Sequence, residues 1–303
     1  MSLGPAPDPV AVVGVGNMGA AMALRLLALG WVVHVHDIDP RKHAPLVTAG
    51  ARACDSPAEA GRGCAAAIVC VVDAGQCEAV LFGPQGLAAA LPAGAAVLLC
   101  PTIAPADTET LGARLQACGL AAIDTPMSGG PARARDGSMS LMVAGADAVV
   151  DRHAALLAAL SGRVFRLGAR IGDGARTKLV NNLLAGINLV GAAEALAMAR
   201  ALGLEPARTL DVIEQSSGQS WIGSDRMRRA LRGDDTPRAH MTLLEKDTRL
   251  AVQAAVSAGY SGPLGVAAAE VFRQASAAGL ADLDDSALLR WLEERSPGSS
   301  PGP

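Results

Sequence analysis

Aromatic residues are scarce in this chain of 303 residues: three Trp, one Tyr and three Phe make up 2% of it, against 50% hydrophobic residues overall. The core must therefore be built from Ala, Val and Leu, with few rings available to fill gaps. A large excess of charge of one sign is missing too. The formal net charge is −3 and no basic patch stands out, which excludes the electrostatic footprint of a nucleic-acid binder. No apolar run reaches the length expected of a membrane span, so no membrane partner is expected. No charged segment followed by an apolar one marks the N-terminus, so no signal peptide is expected and the cytoplasm is the expected compartment. Six cysteines are present, Cys54, Cys64, Cys70, Cys77, Cys100 and Cys118, without a C-x-x-C pair. Set in apolar segments, they read as small core residues of a reduced protein. The five histidines lack metal-ligand spacing, and His34 and His36, alternating on one strand, read as packing or solvent contact. No metal site is expected.

The length suggests two domains, read as residues 8–167 and 168–295, followed by a Pro/Gly/Ser tail, 296–303, expected to be disordered. The first domain opens with the apolar run Val10–Val13, then Gly14-Val15-Gly16-Asn17-Met18-Gly19, an amphipathic helix to Leu29 and a strand from Trp31 to Val35 that runs into Asp37. This is strand, G-x-G-x-x-G, helix, strand, acid. Gly14 allows the tight turn, Gly16 lets backbone approach a pyrophosphate, Gly19 lets the helix pack on the sheet, and the helix N-terminus faces the anion. The pattern predicts dinucleotide binding through Gly14, Gly16, Asn17, Met18 and Gly19. Asp37 would take the adenosine ribose hydroxyls and repel a 2′-phosphate, favouring NAD over NADP, with Arg41 softening that repulsion.

Strands and helices continue to alternate. Ala65–Val72 ends at Asp73, and Ala95–Cys100 runs into Pro101-Thr102. Ligands of doubly wound sheets lie beyond the carboxyl ends of the strands, which makes Val72, Asp73 and Thr102 cofactor-side candidates, although Thr102 also suits a cap for the helix after Pro105. Leu120–Ile123 leads into Asp124-Thr125-Pro126-Met127-Ser128-Gly129-Gly130. Ser128, Gly129 and Gly130 at a strand end can aim successive N–H groups and a hydroxyl at an anion, or form an ordinary loop. Gly137–Val143 reads as a strand, Ala146–Leu160 as a helix and Arg163–Leu167 as a closing strand.

One long helix is expected from Gly172 to Gly203, apolar on nearly every face, as buried helices are. Lys178, Asn181 and Asn182 lie near its start on roughly one face. A buried amine beside two amides is costly unless it meets polar partners, so the trio is either a structural polar cluster or a group that faces a substrate. Past Leu167 no strand pattern appears. Helices are expected after Pro206, over Trp221–Leu231 and Met241–Ala258, from Pro263 to Ala278 and from Ser286 to Glu294.

With the glycine loop, Ser128-Gly129-Gly130, Lys178-Leu179-Val180-Asn181-Asn182 and Lys246-Asp247 with Leu250-Ala251 in view, the chain resembles the β-hydroxyacid dehydrogenases from about Val10 to Leu292. The resemblance implies an α/β N-terminal Rossmann domain, a long interdomain helix and an all-α C-terminal domain that helps form a homodimer or homotetramer. It implies NAD-dependent oxidation of a small β-hydroxy acid, or the reverse reduction. Lys178 would be the general acid/base, with Asn182 one turn on holding the hydroxyl or the amine. Ser128, Gly129 and Gly130 would bind the substrate carboxylate, Asn181 would join the substrate residues, and Lys246 would sit beside cofactor and substrate. Met127 and Pro101 depart from the family's usual Val and Ser. Asn181-Asn182 is similar to the hydroxyisobutyrate branch, whereas Val80–Gly83, Ser220-Trp221 and Gly233–Pro237 look closer to the threonate branch. An imine reductase of the same architecture and a non-catalytic NAD-sensing protein are the alternatives; Lys178 argues against the first, and Lys178 with Asn182 against the second.

Overall fold

The structure, a computed structural model, describes residues 8–234 and 236–295; the tail expected to be disordered lies outside them. Nine strands form one sheet: β1 (Val10–Val13), β2 (Val33–His36), β3 (Arg52–Ala53), β4 (Ala66–Val69), β5 (Ala96–Leu99), β6 (Ala121–Asp124), β7 (Met127–Ser128), β8 (Ser140–Ala144) and β9 (Arg163–Gly168). Their order is β3-β2-β1-β4-β5-β6-β8-β7, with β9 on β8. The first six strands are parallel, and β8 runs antiparallel to both β6 and β7. The order reverses beside β1, the switch point where doubly wound sheets leave a crevice at the strands' carboxyl ends.

Alternation within the strands builds two cores. Val10 and Val12 of β1, Ala66 and Ile68 of β4, and Ala96 and Leu98 of β5 pack on one face with Met22 and Leu26. Ala11, Val13, Ala67, Val69, Val97 and Leu99 pack on the other with Leu81, Leu87 and Leu115. Burial on both faces is why these strands read as unbroken apolar runs rather than as alternating ones. β1 spans the expected Val10–Val13, whereas β4 and β5 are shorter than their runs suggest, because the flanking apolar residues continue into turns. The two-residue strands β3 and β7 carry too little pattern to be read from sequence. The expected helix Ala146–Leu160 is two helices, Asp147–Arg152 and Ala154–Leu160, broken at His153.

Two compact units divide the chain, Met1–Lys178 and Leu179–Pro303. Among the described residues the second unit has helices but no strand, only an isolated bridge between His240 and Asp284. Its helices include Pro206–Glu214, Trp221–Leu231, Met241–Ser257, Pro263–Ala275 and Leu288–Glu294. Phe272, fully buried, centres its core with Leu189, Leu196, Met227 and Leu288.

The long helix runs Asp173–Ala201. Gly203, at φ +75°, ends it, and Leu204 N–H returns to Ala199 O at 2.9 Å. The expectation that no segment reaches membrane-span length needs correction here. The helix has 29 residues and a window of mean hydropathy 1.4, enough to cross a membrane by length and composition. Leu189, Ala193 and Leu196 instead place part of that apolar surface in the second unit's core.

Packing against this helix is tight at Gly186, where a Cβ would lie 2.6 Å from Thr248 Cγ2 and 3.2 Å from Phe272 Cε2. Thr248 cannot rotate away freely, because it is buried and its hydroxyl donates to Leu244 O at 2.7 Å. Gly186→Ala should therefore destabilise the protein by ~1–2 kcal/mol through overpacking, despite Ala's better helix propensity of about 1 kcal/mol. Denaturant unfolding checks this; an unchanged or raised midpoint would show that the contact yields without cost.

Candidate active site

The turn after β1 explains two of its glycines by packing alone. Gly14 has φ +89°, and a Cβ there would lie 2.6 Å from Cys70 O. A Cβ on Gly19 would lie 1.9 Å from Gly14 O. Gly16 differs, since a Cβ there would meet nothing within 4 Å. It precedes the helix Asn17–Ala28, whose N-terminus has no side-chain cap. Uncapped amides beside an open, side-chain-free position suit a pyrophosphate, so these residues fit a dinucleotide on grounds of their own geometry. Asn17 is exposed and Met18 half-buried at the same terminus.

Asp37 follows β2 and is buried. Its Oδ2 accepts Val15 N–H at 2.9 Å, which ties it to the glycine turn. Its Oδ1 accepts Asp39 N–H at 3.0 Å and Lys42 Nζ at 3.0 Å. The cation that offsets Asp37 is thus Lys42 and not Arg41. Arg41 lies out in solvent against Asp39, which holds the Asp39 carboxyl below its ordinary value. A 3₁₀ turn over Pro40–His43 turns the two neighbouring cations to different acids. His43 completes the corner, its Nε2 accepting Asp37 N–H at 2.9 Å.

Past β4, Val72 is exposed, and Asp73 caps the helix Ala74–Phe82 by accepting Gln76 N–H at 2.8 Å. Much of the Asp73 carboxylate is therefore committed to the helix. Thr102 is half-buried, and Ala104 rather than Thr102 holds the cap position of the helix Pro105–Ala117. Three of the cysteines are poorly suited to act as reactive centres. Burial pushes the Cys64 and Cys70 thiols up to about 12 and Cys100 well above its ordinary value. Cys118, expected in the core, is exposed, because it ends a helix at the surface. His34 and His36 hydrogen-bond the Ala60 and Cys54 carbonyls at 3.0 Å, and no metal-binding cluster occurs among the described residues.

Ser128 ends the short strand β7, half-buried and paired with Ser140. Gly129, at φ +130°, and Gly130, at φ +75°, follow in conformations that L side chains rarely adopt. A Cβ on Gly130 would meet nothing within 4 Å, so its backbone is open to approach.

On the long helix Lys178 is only 8% exposed, and Asn182, one turn later, 7%. Asn182 Nδ2 donates to Asp247 Oδ2 at 2.5 Å, and Asn182 Oδ1 accepts Asn181 Nδ2 at 3.0 Å. Asn181 itself is exposed. Asp247, 7% exposed, also faces Lys246, whose Nζ lies 2.9 Å from Oδ1. That contact is an ion pair by charge and distance, without the alignment of a hydrogen bond. Lys246 thus pairs with its neighbouring acid in a largely buried setting. Asp247 is the residue that sequence reasoning passed over. It was visible beside Lys246, yet nothing local shows that it reaches Asn182, 65 positions away.

Comparison with known proteins places these features in context. Residues 9–168 match the family described as the NAD binding domain of 6-phosphogluconate dehydrogenase. Residues 172–292 match the one described as NAD-binding of NADP-dependent 3-hydroxyisobutyrate dehydrogenase. An L-threonate dehydrogenase of Cupriavidus necator is 40% identical over 281 residues, covering 93% of this chain and 95% of that one. A 3-hydroxyisobutyrate dehydrogenase of Pseudomonas aeruginosa is 37% identical over 213 residues, covering 70% and 71%. A crystal structure described as 3-hydroxyisobutyrate dehydrogenase from Salmonella typhimurium superposes with a TM-score of 0.88 at 34% identity, covering 94% of this chain and 100% of its own.

The pairing of Lys42 with Asp37 generates a prediction. Lys42→Ala leaves the carboxylate uncompensated and should raise the ratio of kcat/KM for NAD over NADP about fivefold, the size of a partly exposed ion pair worth ~1 kcal/mol. Arg41→Ala should leave the ratio alone. A ratio that follows Arg41 and ignores Lys42 would reverse the assignment.

Proposed function

This chain belongs to the β-hydroxyacid dehydrogenase family, NAD-dependent oxidoreductases, and from that premise we propose that it oxidises a small β-hydroxy acid of the threonate type with Lys178 as the proton acceptor. The observation that carries the proposal is a buried lysine one turn before a buried amide that a carboxylate, Asp247, anchors. Lys178 and Asn182 on the helix and the Ser128-Gly129-Gly130 loop, whose backbone is open to approach at Gly130, supply the parts that the reaction needs: a base, a positioning group and an anion cradle.

Bound NAD supplies the hydride acceptor, and NADP is the weaker fit because of the buried Asp37 carboxylate. The chain's residues do the rest. Ser128 with the Gly129 and Gly130 amides holds the substrate carboxylate. Neutral Lys178 takes the hydroxyl proton as the carbon loses hydride, and as an ammonium it returns that proton in the reductive direction. Asn182, fixed by Asp247, orients the hydroxyl or the amine. Asn181 lies at the edge of the substrate site, and Lys246 adds positive charge beside it. A free lysine ionises near 10.4, so a base working near neutrality needs burial and a neighbouring cation to lower it.

The threonate type is supported by the 40% identity to an L-threonate dehydrogenase across nearly the whole chain. The presence of both Lys178 and Asn182 stands against a purely NAD-sensing protein. Self-association as a dimer or tetramer is supported by exposed Val180, Leu184, Tyr260 and Leu264. No nucleic-acid or membrane partner belongs to this reading, and six free thiols suit a cytoplasmic setting; fractionation of cells into the membrane pellet would count against it.

Two measurements test the proposal. Lys178→Ala should cut kcat by roughly 10²–10⁴ while leaving NAD affinity nearly unchanged, and Lys178→Arg should fail nearly as badly, since a guanidinium does not deprotonate. Wild-type oxidation should rise with pH through one ionisation, as neutral amine becomes available. Near-normal turnover in Lys178→Ala removes the base; L-threonate oxidised no faster than 3-hydroxyisobutyrate or L-serine removes the substrate type. For self-association, Leu184→Glu with Leu264→Glu should lower the sedimenting mass, and a mass unmoved by both rules out these residues as the interface.

A further inference from the structure

The carboxylate of Asp124 belongs to no step of the reaction above, yet it is among the most deeply buried charged groups in the first unit, at 1% exposure. It ends β6. Its Oδ2 accepts Gly172 N–H at 2.9 Å and Ala175 N–H at 3.0 Å, the amides that open the long helix. A Cβ on Gly174 would lie 2.8 Å from Asp124 Cγ and Oδ1, so the helix terminus fits closely round this one side chain. Gly172, at φ +98°, turns the chain so that the amides point at it. Along the chain Asp124 stands four residues before Ser128. Along the helix Ala175 stands three residues before Lys178.

We propose that Asp124 is a positioning residue that fixes the first turn of the Lys178 helix to the strand end from which the Ser128-Gly129-Gly130 loop departs, and so sets the amine relative to the carboxylate cradle. The inference rests on the reading of Lys178 as the base. Three features separate it from an ordinary helix cap. The acceptor comes from another element, 48 residues away in sequence from Gly172. It is buried where an exposed Asp or Ser would serve as a cap. And the helix carries its own first-turn acid, Asp173, which is engaged outward with Arg170 and Arg176 and not with the helix amides. Burial pushes the Asp124 carboxyl up to about 6, against the Ala175, Gly172 and Gly174 amides that pull it down and with Asp173 adding to the rise. Above that value it is the ionised acceptor, so its own titration stays out of an alkaline pH profile.

The test compares Asp124→Asn and Gly174→Ala with Lys178→Ala in the full chain. Asparagine keeps the shape but replaces one oxygen with a donor that faces N–H groups. Alanine at 174 leaves Asp124 in place but drives a methyl group into it and towards Met142 O, 2.8 Å away, although Ala is the better helix former. Both variants should lower kcat about 10- to 100-fold, as a displacement of the base by an ångström does. Both should move the alkaline ionisation in kcat/KM, with the dissociation constant for NAD within twofold of wild type. Added to Lys178→Ala, Asp124→Asn should lower kcat no further. If both variants lose thermal stability but keep wild-type kcat and pH profile, Asp124 is a structural cap and the inference fails. If Asp124→Asn does not fold, Gly174→Ala alone decides by the same readouts. If Lys178→Ala is itself active, the reading of the base fails first; if Lys178→Ala is inactive while both other variants behave as wild type, only the positioning inference falls.

Discussion

The long helix begins on a buried charge. Its opening amides converge on Asp124, and no side chain from the helix itself could replace that carboxylate at the end of a central strand. Removing a carboxylate from water is costly, and the cost is met here by several backbone donors that would otherwise be unsatisfied at the helix terminus. The arrangement fixes the helix direction at its start. Lys178 comes one turn later, so its placement follows from the strand end as much as from the helix.

A second carboxylate organises the cofactor side in the same way. Asp37 joins the glycine turn through Val15 N–H and its own turn through Asp39 N–H, then takes Lys42 as a partner. These bonds hold the carboxylate in place, so a group proposed to meet a ribose would lose little freedom on binding. Asp247 repeats the logic in the second unit, where it ties Asn182 to the helix that carries Lys246. Each of these three buried acids fixes its own neighbours through amide or cationic donors.

Around these polar points the packing is made of small parts. With three Phe in the whole chain, the cores rely on Val, Leu, Ala and buried cysteine, and close approaches at glycine replace the bulk of rings. Gly186 against Thr248 and Phe272 is one such approach, Gly19 against the Gly14 carbonyl another. Their spacing leaves little room for error, which is why a single added methyl is expected to be felt.

The longer strands, the dinucleotide turn, the long helix and, among the described residues, the helical character of the second unit were determined locally. Hydrophobic period, glycine position and proline position act over a few residues, and a sequence displays them directly. Lys178, Asn182 and Ser128-Gly129-Gly130 stood out for the same reason, as candidates at defined places in an apolar helix or at a strand end, while their roles rest on the family resemblance. What only the tertiary structure decided were the partners of charges. That Lys42 and not Arg41 meets Asp37 depends on one 3₁₀ turn, since two adjacent cations are equivalent in sequence. That Asp247 holds Asn182, and that Asp124 holds the start of the helix, depends on chain returning to itself after 65 and 48 residues. Neither hydropathy nor spacing carries that information, because a carboxylate's partner is whatever donor the packed backbone brings within about 3 Å of it.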